Sequence, residues 1–259
     1  MKTEELHFHI EALEAMKKYP TALFFRGNTK LLERKKLSIV GSRKPNQYAR
    51  NKTQELASKL SNAGICIVSG GAIGVDAIAH KAARVDNTIV VAATGLDKRY
   101  PAINTKLIED VEQSGLVLSQ FKDGSASTRY NFVIRNEVVV ALGEALIVTY
   151  ADENSGTMRS VEYAHKMGKE VYVLAHRIGE SDGTNRLLEE GAAKAIYNID
   201  SFVKQFAGVT ENIKREDSFL DFCSTNPSYE EALLRFPSRV FESELLGEIV
   251  VKNGIIELA

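Results

Sequence analysis

The chain has 259 residues, of which 44% are hydrophobic and 26% are charged, with a formal net charge of -1 at pH 7. This composition is typical of a globular protein with a sizeable core, and it excludes a disordered or fibrous chain. The acidic N-terminus is unlike a secretory signal and no apolar stretch reaches membrane-spanning length, which together predict a cytoplasmic protein that does not associate with a membrane.

The first thirty residues are predicted to form a helical extension that caps the main domain. From Leu37 onward, seven short apolar runs alternate with amphipathic segments. The runs are LSIV, ICIVSGG, TIVVAAT, LVLSQF, ALIVTYA, EVYVLAH and AKAIYN. Because the runs are almost continuously apolar, helices should cover both faces of the sheet that they form. The alternation predicts an α/β, Rossmann-like, doubly wound and mostly parallel sheet over residues 31–207.

The pattern changes after Phe206. Residues 208–217 are polar and are predicted to form a linker. Residues 218–259 contain two amphipathic segments and then SELLGEIVVKNGIIEL, in which Asn253 and Gly254 indicate a tight turn between two apolar runs. We therefore predict a small C-terminal winged-helix-like module, which is short for independent stability.

Charge is distributed unevenly along the chain. Between Arg26 and Lys59 there are ten basic residues against two acidic ones, a net charge of +8. From Val209 to the end there are five basic and ten acidic residues, a net charge of -5. The first segment is suited to attract a polyanion, although a solvated helix face is an equally good explanation of the cluster alone.

Three of the predicted strands end in loops suited to phosphate. They are followed by Gly41-Ser42-Arg43, by residues 69–76 (SGGAIGVD) and by Asn154-Ser155-Gly156-Thr157. In an open parallel sheet, ligands bind beyond the carboxyl ends of the strands, where glycines and free helix N–H groups accommodate phosphate. An ordinary strand-to-helix turn explains any single loop, whereas three at one edge favour a polyphosphate ligand.

The loop over residues 122–131 (KDGSASTRYN) and the residues after it combine cations with aromatic rings. Arg129, Phe132 and Arg135 are part of this segment. Cations that contact phosphates and rings that stack on bases are the means by which proteins hold single-stranded nucleic acid. The alternative is that Phe132 packs into the core and that Arg129 is only solvated.

Enzymatic sites are harder to find. After the first strand the sequence reads GSRKPN, which is unlike the glycine pattern of dinucleotide-binding proteins, and no phosphate-binding loop of the nucleotide hydrolases is present. Asp76 and His80 lie four residues apart, which favours a structural pair, and His176 stands alone. Cys66, within an apolar run, is expected to be a buried thiol. We expect no catalytic residue, metal or cofactor.

With these residues in view, the chain resembles the DNA processing protein A (DprA, also called Smf) family. The segments that carry the resemblance are LFFRGNTKLL, LSIVGSRKPNQYA, IVSGGAIGVDAIAH, GLDKRYPAINTKL, FVIRNEVVVAL, NSGTMRSVEYA, GKEVYVLA and SDGTNRLLEEGA. The resemblance implies a Rossmann-like homodimer that binds single-stranded DNA without sequence preference. It also implies protection of incoming DNA and its transfer to a RecA-type recombinase in natural transformation.

The resemblance implies a DNA pocket built from residues of the predicted loops. These are Ser42, Arg43, Gly70, Gly71, Gly74, Arg129, Phe132, Arg135 and Asn136. Further family motifs at the same edge contain Ser155, Gly156, Thr157 and Asn185. Glu137 stands where family members commonly carry a cation, which argues against a phosphate contact at that position.

One enzyme class competes with this interpretation, the lysine decarboxylase-like phosphoribohydrolases that act on nucleoside monophosphates. Such enzymes also place a glycine loop on a phosphate, but they need a P-G-G-x-G-T-x-x-E motif with a catalytic glutamate. The equivalent stretch here begins Gly183-Thr184-Asn185-Arg186, without the preceding glycines. A third alternative is a pure adaptor for a recombinase with incidental affinity for DNA.

Overall fold

The computed structural model describes residues 2–207, 218–223, 225–237, 239–245 and 247–258. The chain divides into two compact units, Met1–Gly208 and Val209–Ala259. The predicted linker over residues 208–217 lies outside the described residues. Among the described helices, none is long and apolar enough to cross a bilayer.

The described part of the first unit contains a nine-stranded sheet in the order β1-β2-β6-β5-β4-β3-β7-β8-β9. The strands are β1 (Glu4–Glu5), β2 (Phe24–Gly27), β3 (Lys36–Val40), β4 (Cys66–Ser69), β5 (Thr88–Ala92), β6 (Leu116–Ser119), β7 (Leu146–Val148), β8 (Val171–Val173) and β9 (Lys194–Ala195). Strands β3 to β9 pair in parallel, and they are the seven strands predicted from the apolar runs. The predicted Rossmann-like, mostly parallel fold is confirmed.

Seven helices accompany this sheet within the described residues. They are α1 (Gln47–Asn62), α2 (Val75–Ala82), α3 (Thr105–Ser114), α4 (Arg129–Leu142), α5 (Gly156–Lys166), α6 (Asp182–Glu189) and α7 (Ile199–Ala207). Side-chain caps begin three of them: Asn46 accepts from the Ala49 amide at 2.8 Å, Thr128 accepts from the Asn131 amide at 3.1 Å, and Asn198 accepts from the Ser201 amide at 2.8 Å. These bonds satisfy amides that the first helical turn leaves without a partner.

Successive strand residues face opposite layers of helices. Val40, Val68 and Val148 pack with α4 and α5 on one face. Ile39 and Ile67 pack with α1, α2 and α7 on the other. Since side chains alternate along a strand, a run in which every residue is apolar fills both layers, which explains why the predicted strands lack a polar face.

The first thirty residues differ from the predicted helical extension. Residues 2–30 contain β1, β2 and short 3-10 turns, and β2 pairs antiparallel with β6 through Phe25 opposite Leu118. Met16 and Leu23 are buried against the same layer as α4. A helix was the wrong prediction because the segment FFRG pairs with β6, a strand that comes about ninety residues later in the chain.

The second unit contains α8 (Ser218–Cys223), α9 (Tyr229–Arg235), α10 (Arg239–Leu245), β10 (Ile249–Lys252) and β11 (Ile255–Leu258). The two strands form an antiparallel hairpin whose turn holds Asn253 and Gly254 at positive φ, as the sequence predicted. A separate small core includes Phe219, Cys223 and Val240. Three helices followed by a hairpin is the element order of a winged helix.

Candidate nucleic-acid interface

A cleft of about 700 Å³ opens at the carboxyl ends of β3, β4 and β7. In the sheet, β4, β5 and β6 lie in this order on one side of β3, and β7, β8 and β9 lie in this order on its other side. The loops after β3 and β7 therefore diverge toward opposite faces of the sheet and leave a crevice between them. This topological switch point is where open α/β sheets bind ligands.

Ten of the thirteen residues predicted from the sequence to contact DNA line this cleft. They are Ser42, Arg43, Gly70, Arg129, Phe132, Arg135, Asn136, Ser155, Gly156 and Thr157. Three loops and the first turns of α4 and α5 bring them together. Residues that are more than a hundred positions apart in sequence thus share one surface.

Arg135 is the most deeply placed cation of the cleft. Its side chain is 4% exposed and its Nη1 donates to the carbonyl of Val91 at 3.1 Å. The guanidinium passes directly over Gly70, where a Cβ atom would overlap it. Gly70 therefore lacks a side chain because the buried arginine occupies that space.

Asp76 is the buried carboxylate beneath the same loop. It accepts a hydrogen bond from the Ala72 amide at 3.3 Å. Burial raises the pKa of Asp76, and the positive charge of Arg135 partly offsets that effect. Burial likewise lowers the pKa of Arg135, an effect that Asp76 partly offsets. The two charges support each other inside the protein, and Arg135 braces the cleft from below.

Phe132 forms an aromatic wall between two cations. The guanidinium of Arg43 lies 5.5 Å from the ring centroid and that of Arg135 lies 5.8 Å from it. The Tyr100 ring packs at 5.7 Å from Phe132 and is 46% exposed. A small niche of about 60 Å³ lies beside this wall, next to Tyr100 and Ile73. Ring faces and cations are therefore combined at one point, as base stacking next to a phosphate requires.

The opposite wall is the beginning of α5. Gly156 and Thr157 lie in its first turn, and no side chain caps that turn. The Ser155 hydroxyl is buried and has no hydrogen-bond partner among the described residues. Arg159 lines the same wall. Open N–H groups, an unpartnered hydroxyl and a nearby cation suit an anion such as a phosphate.

Comparison with known proteins identifies the family of this chain. The family model of DNA recombination-mediator protein A matches residues 5–207. The chain belongs to this family. The description of this family is that of a mediator of DNA recombination.

Curated members of the recombination-mediator family include DNA processing protein DprA of Streptococcus pneumoniae, 36% identical over 67% of this chain and 62% of its own length. Protein Smf of Escherichia coli is 33% identical over 71% of this chain and 51% of its own length. The chain thus spans between half and two thirds of the length of these two relatives.

Two solved structures of the family share the fold. DNA processing protein A from Helicobacter pylori, described for its unique mode of binding single-stranded DNA, is 40% identical with a TM-score of 0.77. The match covers 79% of this chain and 95% of that one. The Streptococcus pneumoniae DprA structure is 32% identical with a TM-score of 0.74, over 79% and 75% of the two chains.

Three residues that the family resemblance placed in the pocket lie outside the lining of the cleft. Gly71 has a φ of +70° and faces Val90. Gly74 has a φ of +81° and lies against the backbone of Ser42 and Arg43, where a Cβ would clash. Both glycines shape the loops, because other residues rarely adopt this backbone conformation.

Asn185 is the third of these residues. Its Oδ1 accepts from the His176 amide at 3.1 Å, and its Nδ2 donates to the carbonyls of Arg177 at 3.2 Å and of Glu180 at 3.2 Å. The side chain therefore holds the loop after β8 in place.

Glu137, which stands where the family resemblance implies a cation, is also outside the lining of the cleft. Its Oε1 accepts from the Lys17 amide at 3.0 Å. The carboxylate consequently holds the N-terminal segment against α4.

The two histidines considered as catalytic candidates are structural. His80 is fully buried, and its Nδ1 lies 2.7 Å from Thr88 Oγ1. The Thr88 hydroxyl donates its own proton to the Ile67 carbonyl, so Nδ1 is the donor in the contact with Thr88. His176 donates from Nε2 to the Thr149 carbonyl at 2.9 Å. Neither histidine lines the cleft.

Sequence reasoning missed Tyr100, Ile73 and Arg159. Tyr100 lies in the long loop after β5, which ends at the same sheet edge and could have been inspected for that reason. Arg159 lies one turn into α5, where helical spacing from Ser155 places it on the cleft side. Ile73 carries no sequence signal beyond its position in the glycine loop.

Proposed function

We propose that this protein binds single-stranded DNA in the cleft without sequence preference, protects incoming DNA and loads a RecA-type recombinase during natural transformation. The supporting observation is that Arg43, Arg129 and Phe132 line one cleft together with the open first turn of α5. Cations and amides suit the sugar-phosphate backbone, and the ring suits any base. No base-specific hydrogen bonding is needed for such binding.

The arrangement favours a single strand over a duplex. Phe132 is partly buried in the wall of the cleft, and the niche beside Tyr100 holds only about 60 Å³. A base reaches such a ring when it is unpaired and turned toward the protein, which a duplex resists because its bases are stacked on each other. The ability of the Helicobacter pylori relative to bind single-stranded DNA supports the same proposal.

A salt titration tests the proposal. Labelled oligo(dT) is titrated with wild-type protein and with Arg43→Ala, Arg129→Ala and Phe132→Ala over a range of salt concentrations. Each arginine variant should bind more weakly and reduce the slope of log affinity against log salt by about 0.7, because one fewer phosphate is neutralised. Phe132→Ala should lose about 1–3 kcal/mol of binding free energy with the slope unchanged, since stacking releases few counterions.

Arg84→Ala is the matched control. Arg84 is an exposed arginine that pairs with Asp86 just before β5, at the amino end of the sheet and away from the cleft. Its removal should leave both affinity and slope at wild-type values. Wild-type affinity in all three cleft variants, or release of free base from nucleoside monophosphates, would contradict the proposal.

The partner proteins and location complete the proposal. We infer that the protein acts in the cytoplasm as a homodimer and hands its strand to a RecA-type recombinase. The second unit is acidic, with a net charge of -5 from Val209 to Ala259, so it is better suited to contact a protein than DNA. Recombinase-driven strand exchange, with and without this protein, tests the transfer, and sedimentation tests the dimer.

A further inference from the structure

A second opening lies at the same sheet edge, beyond β8 and β9. It is a slot of about 220 Å³ between the first turns of α1 and the beginning of α7. Leu174 and Ile196, both buried, form its floor. The slot is smaller than the roughly 300–1,000 Å³ of pockets for drug-sized ligands, so a single ring system is the appropriate size of occupant.

Two tyrosines line this slot. Tyr48 is 45% exposed and Tyr197 is 88% exposed, although both are large apolar rings. Tyr48 comes from α1 and Tyr197 from the segment after β9, so the fold brings them together from opposite ends of the first unit. Exposed aromatic rings at the rim of a slot whose accessible lining is mostly polar indicate an interaction site for a flat ring with polar edges.

The charges around the slot cancel each other. Lys52 pairs with Glu55 at 2.7 Å, and Lys59 pairs with Asp200 at 2.7 Å and with Glu55 at 3.1 Å. These pairs contain as many carboxylates as cations, so the slot has no net positive charge to bind a phosphate. Asn198 at its rim accepts from the Ser201 amide at 2.8 Å, and its amide nitrogen has no partner among the described residues. A neutral ring with polar edges fits this chemistry.

A row of aromatic contacts joins the slot to the cleft. The ring of His176 packs edge-on against Tyr48 at 5.3 Å and against Tyr150 at 5.2 Å. The Tyr150 carbonyl accepts from the Ser42 amide at 2.8 Å, and Ser42 lines the cleft. Arg43 and Tyr48 are five residues apart, so their Cα atoms are separated by at most about 18 Å. A short oligonucleotide can span the two openings.

We propose that the slot between Tyr48 and Tyr197 is a second base-stacking subsite, which receives a nucleobase of the same strand whose phosphates occupy the cleft. This inference rests on the proposed function and extends it. The cleft supplies electrostatic affinity, and the slot adds a neutral contact that engages only strands long enough to reach it. We therefore expect the affinity of a single protein molecule for DNA to rise with oligonucleotide length, at lengths too short to bind a second protein molecule.

Tryptophan substitution provides a direct reporter, because the chain contains no tryptophan. Tyr197→Trp and Tyr48→Trp each keep an aromatic ring at the rim and give the protein a single indole. Saturating dT20 should quench the fluorescence of both variants. Phe8→Trp is the control, since Phe8 is 53% exposed and lies outside both openings, and its fluorescence should not change.

Affinity measurements separate the subsite from the cleft. Tyr48→Ala and Tyr197→Ala should each weaken binding of dT20 about fivefold or more, the loss expected for one stacked base, while binding of dT4 stays within twofold of wild type. Arg129→Ala should weaken both oligonucleotides. If Arg43→Ala, Arg129→Ala and Phe132→Ala all bind like wild type, the proposed function fails; if they weaken binding and the tyrosine variants do not, only the subsite is wrong.

A second copy of the chain is the main alternative occupant of the slot. In that case the fluorescence of Tyr197→Trp would change with protein concentration in the absence of DNA, and dT20 would leave it unchanged. That result would overturn the inference. Quenching by dT20 at a protein concentration where fluorescence is constant supports it.

Discussion

Gly70 lies where the fold leaves no room for a side chain. A Cβ atom there would overlap the guanidinium of Arg135, which is buried and bonded to Val91. Gly70→Ala must therefore displace a buried cation from its partners. We expect the free energy of unfolding to fall by about 3 kcal/mol, measured by urea denaturation. Affinity for single-stranded DNA should fall with it, because Phe132 loses one of the two cations beside its ring.

Gly156→Ala is the matched control for that change. Gly156 lines the same cleft, but a Cβ at this position meets nothing within 4 Å. It lies in the first turn of α5, where alanine is well tolerated. Stability should stay within about 0.5 kcal/mol of wild type. Equal stability of the two alanine variants would show that Arg135 does not fix the loop.

His80 makes stability depend on pH. Burial, with a further contribution from the charge of Arg135, lowers the pKa of His80 to about 3 from 6.5. As the pH falls below 6.5, His80 is protonated in the unfolded chain but stays neutral in the folded protein. The free energy of unfolding therefore decreases between about pH 6.5 and pH 3. From pH 7 to pH 5 the wild type should lose about 2 kcal/mol more than His80→Asn.

Urea unfolding at several pH values measures this difference. His80→Asn cannot titrate in this range, and its amide is able to donate to Thr88 as the imidazole does. Asp76 has a raised pKa and acts in the opposite direction, since its protonation favours the folded state at low pH. Because both proteins contain Asp76, the comparison isolates His80. Parallel pH profiles for the two proteins would contradict the assignment.

At the scale of elements, one buried carboxylate joins the antiparallel edge of the sheet to the cleft. Glu112 on α3 contacts Arg26 of β2 at 3.5 Å and Arg99 at 2.7 Å. Glu112 and Arg26 are both almost fully buried. Arg99 precedes Tyr100, whose ring packs on Phe132. The carboxylate therefore fixes both β2 and the loop that carries the aromatic wall.

Glu112→Gln should lower the free energy of unfolding by about 3 kcal/mol, because it leaves Arg26 buried without a counter-charge. Glu109→Gln is the control: Glu109 lies 3.7 Å from the same Arg99 but is 40% exposed, and its loss should cost less than about 1 kcal/mol. Urea denaturation of both variants gives the comparison. Equal losses would mean that burial does not set the strength of this pair.

At the scale of the whole molecule, the two units have separate cores and each contains one buried cysteine. Cys66 lies in β4 of the large sheet, where burial raises its pKa to about 12. Cys223 lies in the small core of the second unit. The two thiols therefore report the opening of the two units independently.

We expect Cys223 to become reactive at a lower urea concentration than Cys66. The second unit spans about fifty residues, and a core of that size gives marginal stability. Thiol labelling of the single-cysteine variants Cys66→Ala and Cys223→Ala across a urea series gives the two curves. Coincident curves would show that the units unfold as one cooperative body.

The sequence predicted the seven parallel strands because each of them has its own local signal. An apolar run that ends in Gly41 or Gly70 indicates a buried strand followed by a loop, whatever the rest of the chain does. The same local reasoning selected Ser42, Arg43 and Phe132, and all three line the cleft. It failed for the first thirty residues, since β2 is defined by its pairing with β6, about ninety residues later.

By itself, the sequence determined the parallel sheet, the hairpin of the second unit and the family, since each depends on patterns within a few neighbouring residues. Only the tertiary structure decided which residues near the cleft face it. Arg135 and Asn185 were both predicted to contact DNA, yet one lies beneath the aromatic wall and the other braces a loop. Side-chain direction depends on packing between elements that are distant in the chain, and no local pattern encodes that packing.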